Sequence, residues 1–315
     1  AERVGFGASG RNGGMIGSGQ RKDALELEGQ FGYERSRQLW DLAEAAKAEI
    51  RERVEKHSIP CDLQDGQLLG VHKASYRGWA AEYAAALAER YDYPHCRALT
   101  AEESREFVAT ENFLEALYDD QAMTLHPLNY ALGLARAGEQ AGVRIYENSR
   151  VLNYSRTDPA IVETETGQVK ASFVVLACNG YLGKLERRVA GKIMPINNFM
   201  VATEPLGRER AHELIAGRFG VHDTRFVVNY FRLSEDGRLL FGGGENYRPG
   251  FPSNIERFVR PYMLDMFPQL EDIRIDDAWG GTLSVTVNRL PHVGHLGPNL
   301  FFAQGYSGHG IPTAN

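Results

Sequence analysis

Apolar positions recur at spacings of three and four between residues 33 and 56, where Leu39 and Trp40, Ala43, Ala46 and Lys47, Ile50 and Val54 share one side of a helix. The Ile59-Pro60 step closes that pattern, because the residue before a proline is pushed out of the helical region. Ahead of the helix, a polar, glycine-spaced connector runs to about Lys22. Residues 66–72 read as a strand and the alanine-rich residues 75–90 as a helix. Thr100 followed by Glu103 marks a helix start with a reciprocal cap. Residues 117–125 predict a strand, 128–141 a helix stopped by Gly142, and 143–146 a further strand. A helix, a glycine and a strand in that order belong to an α/β layer.

Residues 151–154, 161–164 and 169–178 predict a small meander and a buried strand, turned by Asn179-Gly180. The pattern then changes to longer strands of antiparallel character at 199–203, 226–233 and 238–242, with Glu235-Asp236-Gly237 as a hairpin turn. A helix over 255–266 stops before Pro268, a strand follows at 276–282, and the apolar run Leu300-Phe301-Phe302-Ala303 predicts a last buried strand. The order of elements gives a mixed α/β fold without internal repeats.

Composition narrows the class. At 315 residues the chain can form two domains, and 43% hydrophobic with 24% charged residues suits a globular protein. A net charge of −6 without a dense Lys/Arg cluster argues against nucleic-acid binding. The longest continuous apolar run, 173–178, is too short to span a bilayer. Three cysteines without a Cys-x-x-Cys, and no visible signal peptide, predict a cytoplasmic protein. His292-x-x-His295 lacks a third ligand nearby, so no metal site is expected.

Candidate chemistry concentrates in two glycine-rich bends, Gly7-Ala8-Ser9-Gly10-Arg11-Asn12-Gly13-Gly14 and Gln304-Gly305-Tyr306-Ser307-Gly308-His309-Gly310. Closely spaced glycines after a strand let main-chain N–H groups approach a flat or charged ligand. On the residues alone, each bend reads equally as a plain turn. Together they resemble the D-amino-acid oxidase superfamily of FAD-dependent amine and amino-acid oxidases, and within it the gamma-glutamylputrescine oxidase branch. Leu125-His126-Pro127-Leu128-Asn129, the run from Val174 to Gly183, Tyr230-Phe231-Arg232-Leu233, Arg238 to Gly244 and Phe267-Pro268-Gln269-Leu270 fit the same order.

The resemblance implies a Rossmann-like flavin layer (residues 1–75, 127–195 and 283–315) and a mixed-sheet substrate domain (76–126 and 196–282). It also implies that the first βαβ unit and the long closing helix of the family fall outside this chain. On that expectation the piece leaves an open groove and a free sheet edge, and holds FAD weakly. Ser9, Gly10, Arg11, Asn12, Gly13 and Gly14 are implied to wrap the cofactor, the Val151 main chain to meet its adenine, and Asn179 and Gly180 to line the end of a strand beside it. Gly305, Gly308 and Gly310 are implied at the pyrimidine end of the ring, with N–H donors from Gly308, His309 and Gly310.

His309 and Tyr306 are the implied catalytic side chains, His309 either carrying a proton-dependent charge or only filling space. Tyr230, Arg232 and Trp279 are implied over the ring as substrate contacts, Arg232 pairing with a carboxylate or else lying on an edge-strand surface. Glu245 and Asn246 read as a turn cap in preference to an amine contact. No cysteine follows Cys178, so the FAD is expected to be non-covalent. The implied reaction oxidises a primary amine, such as gamma-glutamylputrescine, to an aldehyde with ammonia and hydrogen peroxide, oxygen being the electron acceptor. An amino-acid or N-methyl-amine oxidase is the rival within the superfamily. A non-catalytic binding module or an incompetent fragment is the rival outside it.

Overall fold

Alternation along the strands decides which side chains meet, and one large sheet sets that alternation. In the computed structural model, which describes residues 2–315, this sheet has nine strands. Their order is Met15–Ile16, Glu115–Thr124, Gln64–Val71, Gly220–Asp223, Tyr230–Leu233, Leu239–Asn246, Met194–Thr203 and Ile275–Val285, with Cys96–Thr100 also pairing to Glu115–Thr124. Gly220–Asp223 runs parallel to Gln64–Val71, and the other pairs are antiparallel.

Leu68, Val221, Phe231, Phe241 and Val201 are successive partners across this ladder. All five are fully buried. Helix Ile255–Met266 covers them with Val259, Met263 and Met266. The neighbouring residue on each strand points the other way. Leu69, His222, Tyr230, Gly242, Met200 and Trp279 therefore form a second row on the opposite face. That face meets the segment around Ala8–Arg11.

Two three-stranded sheets complete the fold. Val174–Leu176 lies parallel to Leu300–Gln304, which pairs with His292–His295. Val151–Tyr154, Ala160–Thr164 and Gln168–Ala171 form the expected meander. The strand read at 169–178 is divided between these two sheets, since the chain leaves the meander at Ala171 and re-enters as Val174–Leu176. In the first sheet Val174–Leu176 is an edge, and Phe173, Val175, Val293 and Phe301 lie exposed.

Helix Tyr33–Lys56 has the expected bounds and buries Ser36, Trp40, Ala43, Lys47 and Ile50. Gly32, at φ +82°, separates it from a further helix, Ala24–Phe31, capped by the Asp23 carboxylate on the Glu26 N–H at 2.6 Å. The sequence pattern predicts a long helix after Lys22 but not its division at Gly32. The Thr100 capping box is present. The strand expected at 143–146 is absent. Val143, Ile145 and Tyr146 are exposed, and none of the described strands runs beside them to pair their backbone. Among the described residues no helix is long and apolar enough to cross a membrane, and no cluster of metal-ligating side chains occurs. His292 and His295 sit on a strand.

Candidate active site

The first bend is a four-residue helix, Ala8–Arg11, closed by Asn12. The Asn12 amide donates to the carbonyls of Ala8 (2.9 Å) and Ser9 (3.0 Å), and its oxygen accepts from the Gly14 N–H at 2.8 Å. The Asn12 side chain thus builds the bend and offers no donor to a ligand, a correction to its expected role. Gly10 and Gly14 are required sterically. A Cβ would meet the Gly5 carbonyl oxygen at 2.2 Å and the Leu125 carbonyl oxygen at 1.9 Å, and Gly14 has φ +79°. Ser9 lies exposed.

The sheet holds this bend from below. The Trp279 indole donates to the Arg11 carbonyl at 3.0 Å, and Arg11 Nη1 donates to the Gly280 carbonyl at 3.0 Å. The Tyr230 ring lies between Gly13 and Gly242, where Cβ atoms would approach it to 2.6 and 2.1 Å. Its hydroxyl donates to Asn198 Oδ1, and burial raises its pKa.

Arg232 is neither a surface residue nor free for a carboxylate. It is 3% exposed. Its guanidinium donates to the carbonyls of Gly13 (3.0 Å), Leu125 (3.1 Å) and Leu233 (3.3 Å). Burial lowers its pKa to about 10. The expected substrate contact is corrected to a buried strut that fixes the first bend to the sheet.

The second bend follows strand Leu300–Gln304 and is clamped by Asn179, whose oxygen accepts from the Gly305 N–H at 3.0 Å and from the Ser284 hydroxyl. The Ser307 N–H donates to the Ser284 carbonyl at 2.9 Å. Gly180 packs on the main chain of Thr282 and Leu283, with its Cβ position 2.9 Å from both carbonyl oxygens. Next to it, the Tyr181 ring packs on Gly7, and its hydroxyl accepts from the Thr282 N–H at 3.0 Å. Strand Ile275–Val285 thus ties both bends to one site. Val151 opens a strand of the separate meander and shares no sheet with them.

His309 is anchored from the other side. Its Nε2–H donates to the Gly19 carbonyl at 3.1 Å, which leaves Nδ1 as the unprotonated nitrogen. The Gly19 N–H donates to Glu44 Oε1 at 3.0 Å, Glu44 pairs with Lys47 at 2.6 Å, and Lys47 donates to Ser18 Oγ at 2.7 Å. Helix Tyr33–Lys56 therefore sets the position of this imidazole. Burial, then Arg21, holds the His309 pKa down to about 4 despite the Gly19 bond. A proton-dependent charge on His309 is thereby confined to acid pH, and near neutrality the imidazole is uncharged. The His309 N–H is also engaged, closing the turn onto the Tyr306 carbonyl at 2.9 Å. This corrects its expected role as a main-chain donor to a ligand. Tyr306 is half-buried, its hydroxyl has no partner among the described residues, and burial raises its pKa.

His222 was missed in the sequence. Its register beside Tyr230 puts it on the site face, and burial, followed by Arg21 and His309, lowers its pKa to about 4. Arg21, Glu44 and Gly19 were missed as well. Only Lys47, a charged residue on an apolar helix face, carried a readable signal.

The whole chain, residues 1–315, matches the family model described as FAD dependent oxidoreductase (DAO). It is 39% identical to the Probable oxidoreductase OrdL of Rhizobium meliloti, over 99% of this chain and 73% of that protein. It is 38% identical to the Gamma-glutamylputrescine oxidoreductase of Escherichia coli, again over 99% of this chain and 73% of the relative. Among solved structures, L-proline dehydrogenase from P. horikoshii superposes with a TM-score of 0.79 at 20% identity, covering 99% of this chain and 82% of that one. Glycine oxidase from Geobacillus kaustophilus gives 0.78 at 20% identity, over 98% and 81%.

Proposed function

The chain belongs to the FAD-dependent oxidoreductase family, and we propose that it oxidises a primary amine, gamma-glutamylputrescine or a close analogue. The observation that carries this reading is the joining of both glycine-rich bends to one sheet face lined by Tyr230, His222 and Trp279. The 38% identity to a gamma-glutamylputrescine oxidoreductase supports the choice of substrate.

The residues present fit the cofactor. Gly308 has φ +90°, and no protein atom lies within 4 Å of where its Cβ would stand. The N–H groups of Gly308 and Gly310 donate to no acceptor among the described residues. An open space edged by free donors suits the polar rim of a flat ring. Gly10, Arg11, Gly13 and Gly14 belong to the other bend, and strand Ile275–Val285, bonded to Arg11 at one end and to Ser307 at the other, fixes the two bends relative to each other. When bound, FAD supplies the hydride acceptor for the carbon bearing the amine.

The protein's own groups orient and select. Tyr230, Trp279 and Tyr306 wall a slim aliphatic chain and exclude water. A half-buried site with neutral His222 and His309 beside the Arg21 cation disfavours an ammonium ion. The substrate therefore enters as the free amine, the form able to give up hydride, and no separate general base is required. Amine, oxygen and water give aldehyde, ammonia and hydrogen peroxide. We expect the flavin to be held without a covalent bond, since none of Cys61, Cys96 and Cys178 lies in either glycine-rich bend. Free thiols also suit a cytoplasmic location.

The test is peroxide release by the FAD-loaded protein over gamma-glutamylputrescine, putrescine, N-acetylputrescine, glycine, sarcosine and D-amino acids. The expected outcome is a kcat/KM highest for gamma-glutamylputrescine, by roughly tenfold or more. Activity confined to the amino acids overturns the reading.

A further inference from the structure

Lys47 is a cation on the apolar side of helix Tyr33–Lys56, its side chain only 9% exposed. An ammonium group has three N–H donors, and each finds an acceptor: Glu44 Oε2 at 2.6 Å, Ser18 Oγ at 2.7 Å and the Tyr93 hydroxyl at 3.1 Å. The Tyr93 hydroxyl donates in turn to Asp119 Oδ1 at 2.8 Å. The Ser18 hydroxyl, 2.8 Å from that of Tyr93, is therefore the donor between them. Asp119 is itself held by the main-chain N–H groups of Gln121 and Ala122 at 3.0 and 3.1 Å. The bonds along this branch thus run in one direction, from the ammonium to a fixed carboxylate. On its other side the network closes on one short segment. Lys47 grips Ser18, Glu44 accepts the Gly19 N–H, and the Gly19 carbonyl accepts the His309 Nε2–H. Gly19 takes φ +68°, and a Cβ there would meet the Trp40 ring at 2.6 Å, so this segment is pressed onto the same helix.

We propose that Lys47 is a positioning residue for the amine site, acting through Glu44 and Ser18 on the Ser18–Gly19 segment that holds His309. The proposal rests on the amine-oxidase reading above and names what keeps the imidazole of that site in place. Stability alone does not account for the network, because a buried ion pair is often replaced by apolar side chains of similar volume without loss of stability. The helix already buries Trp40, Ala43 and Ile50 on the same side. An apolar residue at position 47 could pack there, but it could neither bond Ser18 nor orient Glu44 toward the Gly19 N–H. Glu44 pairs with no other cation among the described residues, and its side chain is 23% exposed. Without the ammonium its carboxylate turns to water, the Gly19 N–H loses its acceptor, and the Gly19 carbonyl is free to leave His309. Burial is the main cause that keeps this imidazole neutral, Arg21 is the next, and His222 also faces it. Released to water, it takes up a proton at higher pH.

The experiment compares the FAD-loaded wild type with Lys47→Met and with the double variant Lys47→Met, Glu44→Leu, which leaves neither charge behind. The His309 Nε2–H proton is followed by NMR in water and assigned by its loss in His309→Gln. In parallel, kcat/KM for the preferred amine is measured against pH, and urea midpoints are recorded. The expected result is a protected Nε2–H signal in wild type that is lost in both variants. The value of kcat/KM falls roughly tenfold or more in both, and its acid limb moves to higher pH. The double variant regains the urea midpoint that Lys47→Met loses, but not the activity. Should Lys47→Met fail to fold, the double variant carries the test. A lysine that only packs the helix would leave the Nε2–H signal in place, or would let activity return with stability in the double variant. Either outcome overturns the proposal, as does the absence of the signal from wild type. If no amine is oxidised while the signal is still lost with Lys47, the amine-oxidase reading fails and the positioning of His309 stands.

Discussion

Arg232 and His309 show how far a side chain's role depends on its surroundings. Replacing Arg232 with methionine leaves the buried carbonyls of Gly13, Leu125 and Leu233 without this donor. The expected cost is about 3 kcal/mol or more, read as a lower urea midpoint. Discrimination between carboxylate-bearing and carboxylate-free amines should not follow Arg232. His222 and His309 act through pH. Their folded pKa values, about 4, lie below the unfolded value of about 6.5. As pH falls from about 6.5 toward 4, the unfolded chain binds protons that the folded one refuses, so stability falls over that window and levels off below it. Thermal midpoints of the unliganded protein should follow this course, and His309→Gln should flatten it. A midpoint independent of pH across that window would contradict the buried, neutral imidazoles.

At the scale of elements, the two bends contain glycines of different kinds. Gly14 is forced by its backbone and by the Leu125 carbonyl 1.9 Å from a Cβ position. Gly14→Ala should therefore destabilise the fold by about 2 kcal/mol or more. Gly308 shares the positive φ but faces open space. Gly308→Ala should cost only about 1 kcal/mol of stability while weakening FAD binding, because its methyl projects into the proposed ring site. Unfolding curves and flavin retention after gel filtration separate these effects. Equal flavin retention in wild type and Gly308→Ala would place the ring elsewhere. Helix Tyr33–Lys56 was legible because its buried side repeats at three and four. The strand at 143–146 was misread because an apolar run fixes no partner, and a strand without one leaves its backbone unpaired. Helix Ala24–Phe31 falls where a long helix is expected after Lys22, and its separation at Gly32, φ +82°, interrupts no apolar period that the sequence displays.

Across the whole molecule, the faces of the large sheet divide the work. One is packed beneath helix Ile255–Met266, and the other presents Tyr230, His222 and Trp279 to the bends. The small mixed sheet of Val174–Leu176, Leu300–Gln304 and His292–His295 differs, with Phe173, Val175, Val293 and Phe301 between 38% and 68% exposed. Apolar surface of that kind takes up hydrophobic dyes. The chain should raise the fluorescence of 8-anilinonaphthalene-1-sulfonate in its native state, and Val175→Lys with Phe301→Lys should lower that signal without altering the circular dichroism. An unchanged signal would mean that the face is covered in solution.

The sequence determined the features that are local in the chain: the helical periods, the reciprocal cap at Thr100, and the two glycine-rich bends whose composition carried the family resemblance. Each depends on neighbours a few positions away, so the residue order is enough to specify it. Tertiary structure decided which charges remain free. Arg232 meets Gly13 across 219 positions, and His309 meets Gly19 across 290. Hydrogen bonding and desolvation act through space, so only the folded chain could show that Arg232 is engaged and His309 uncharged.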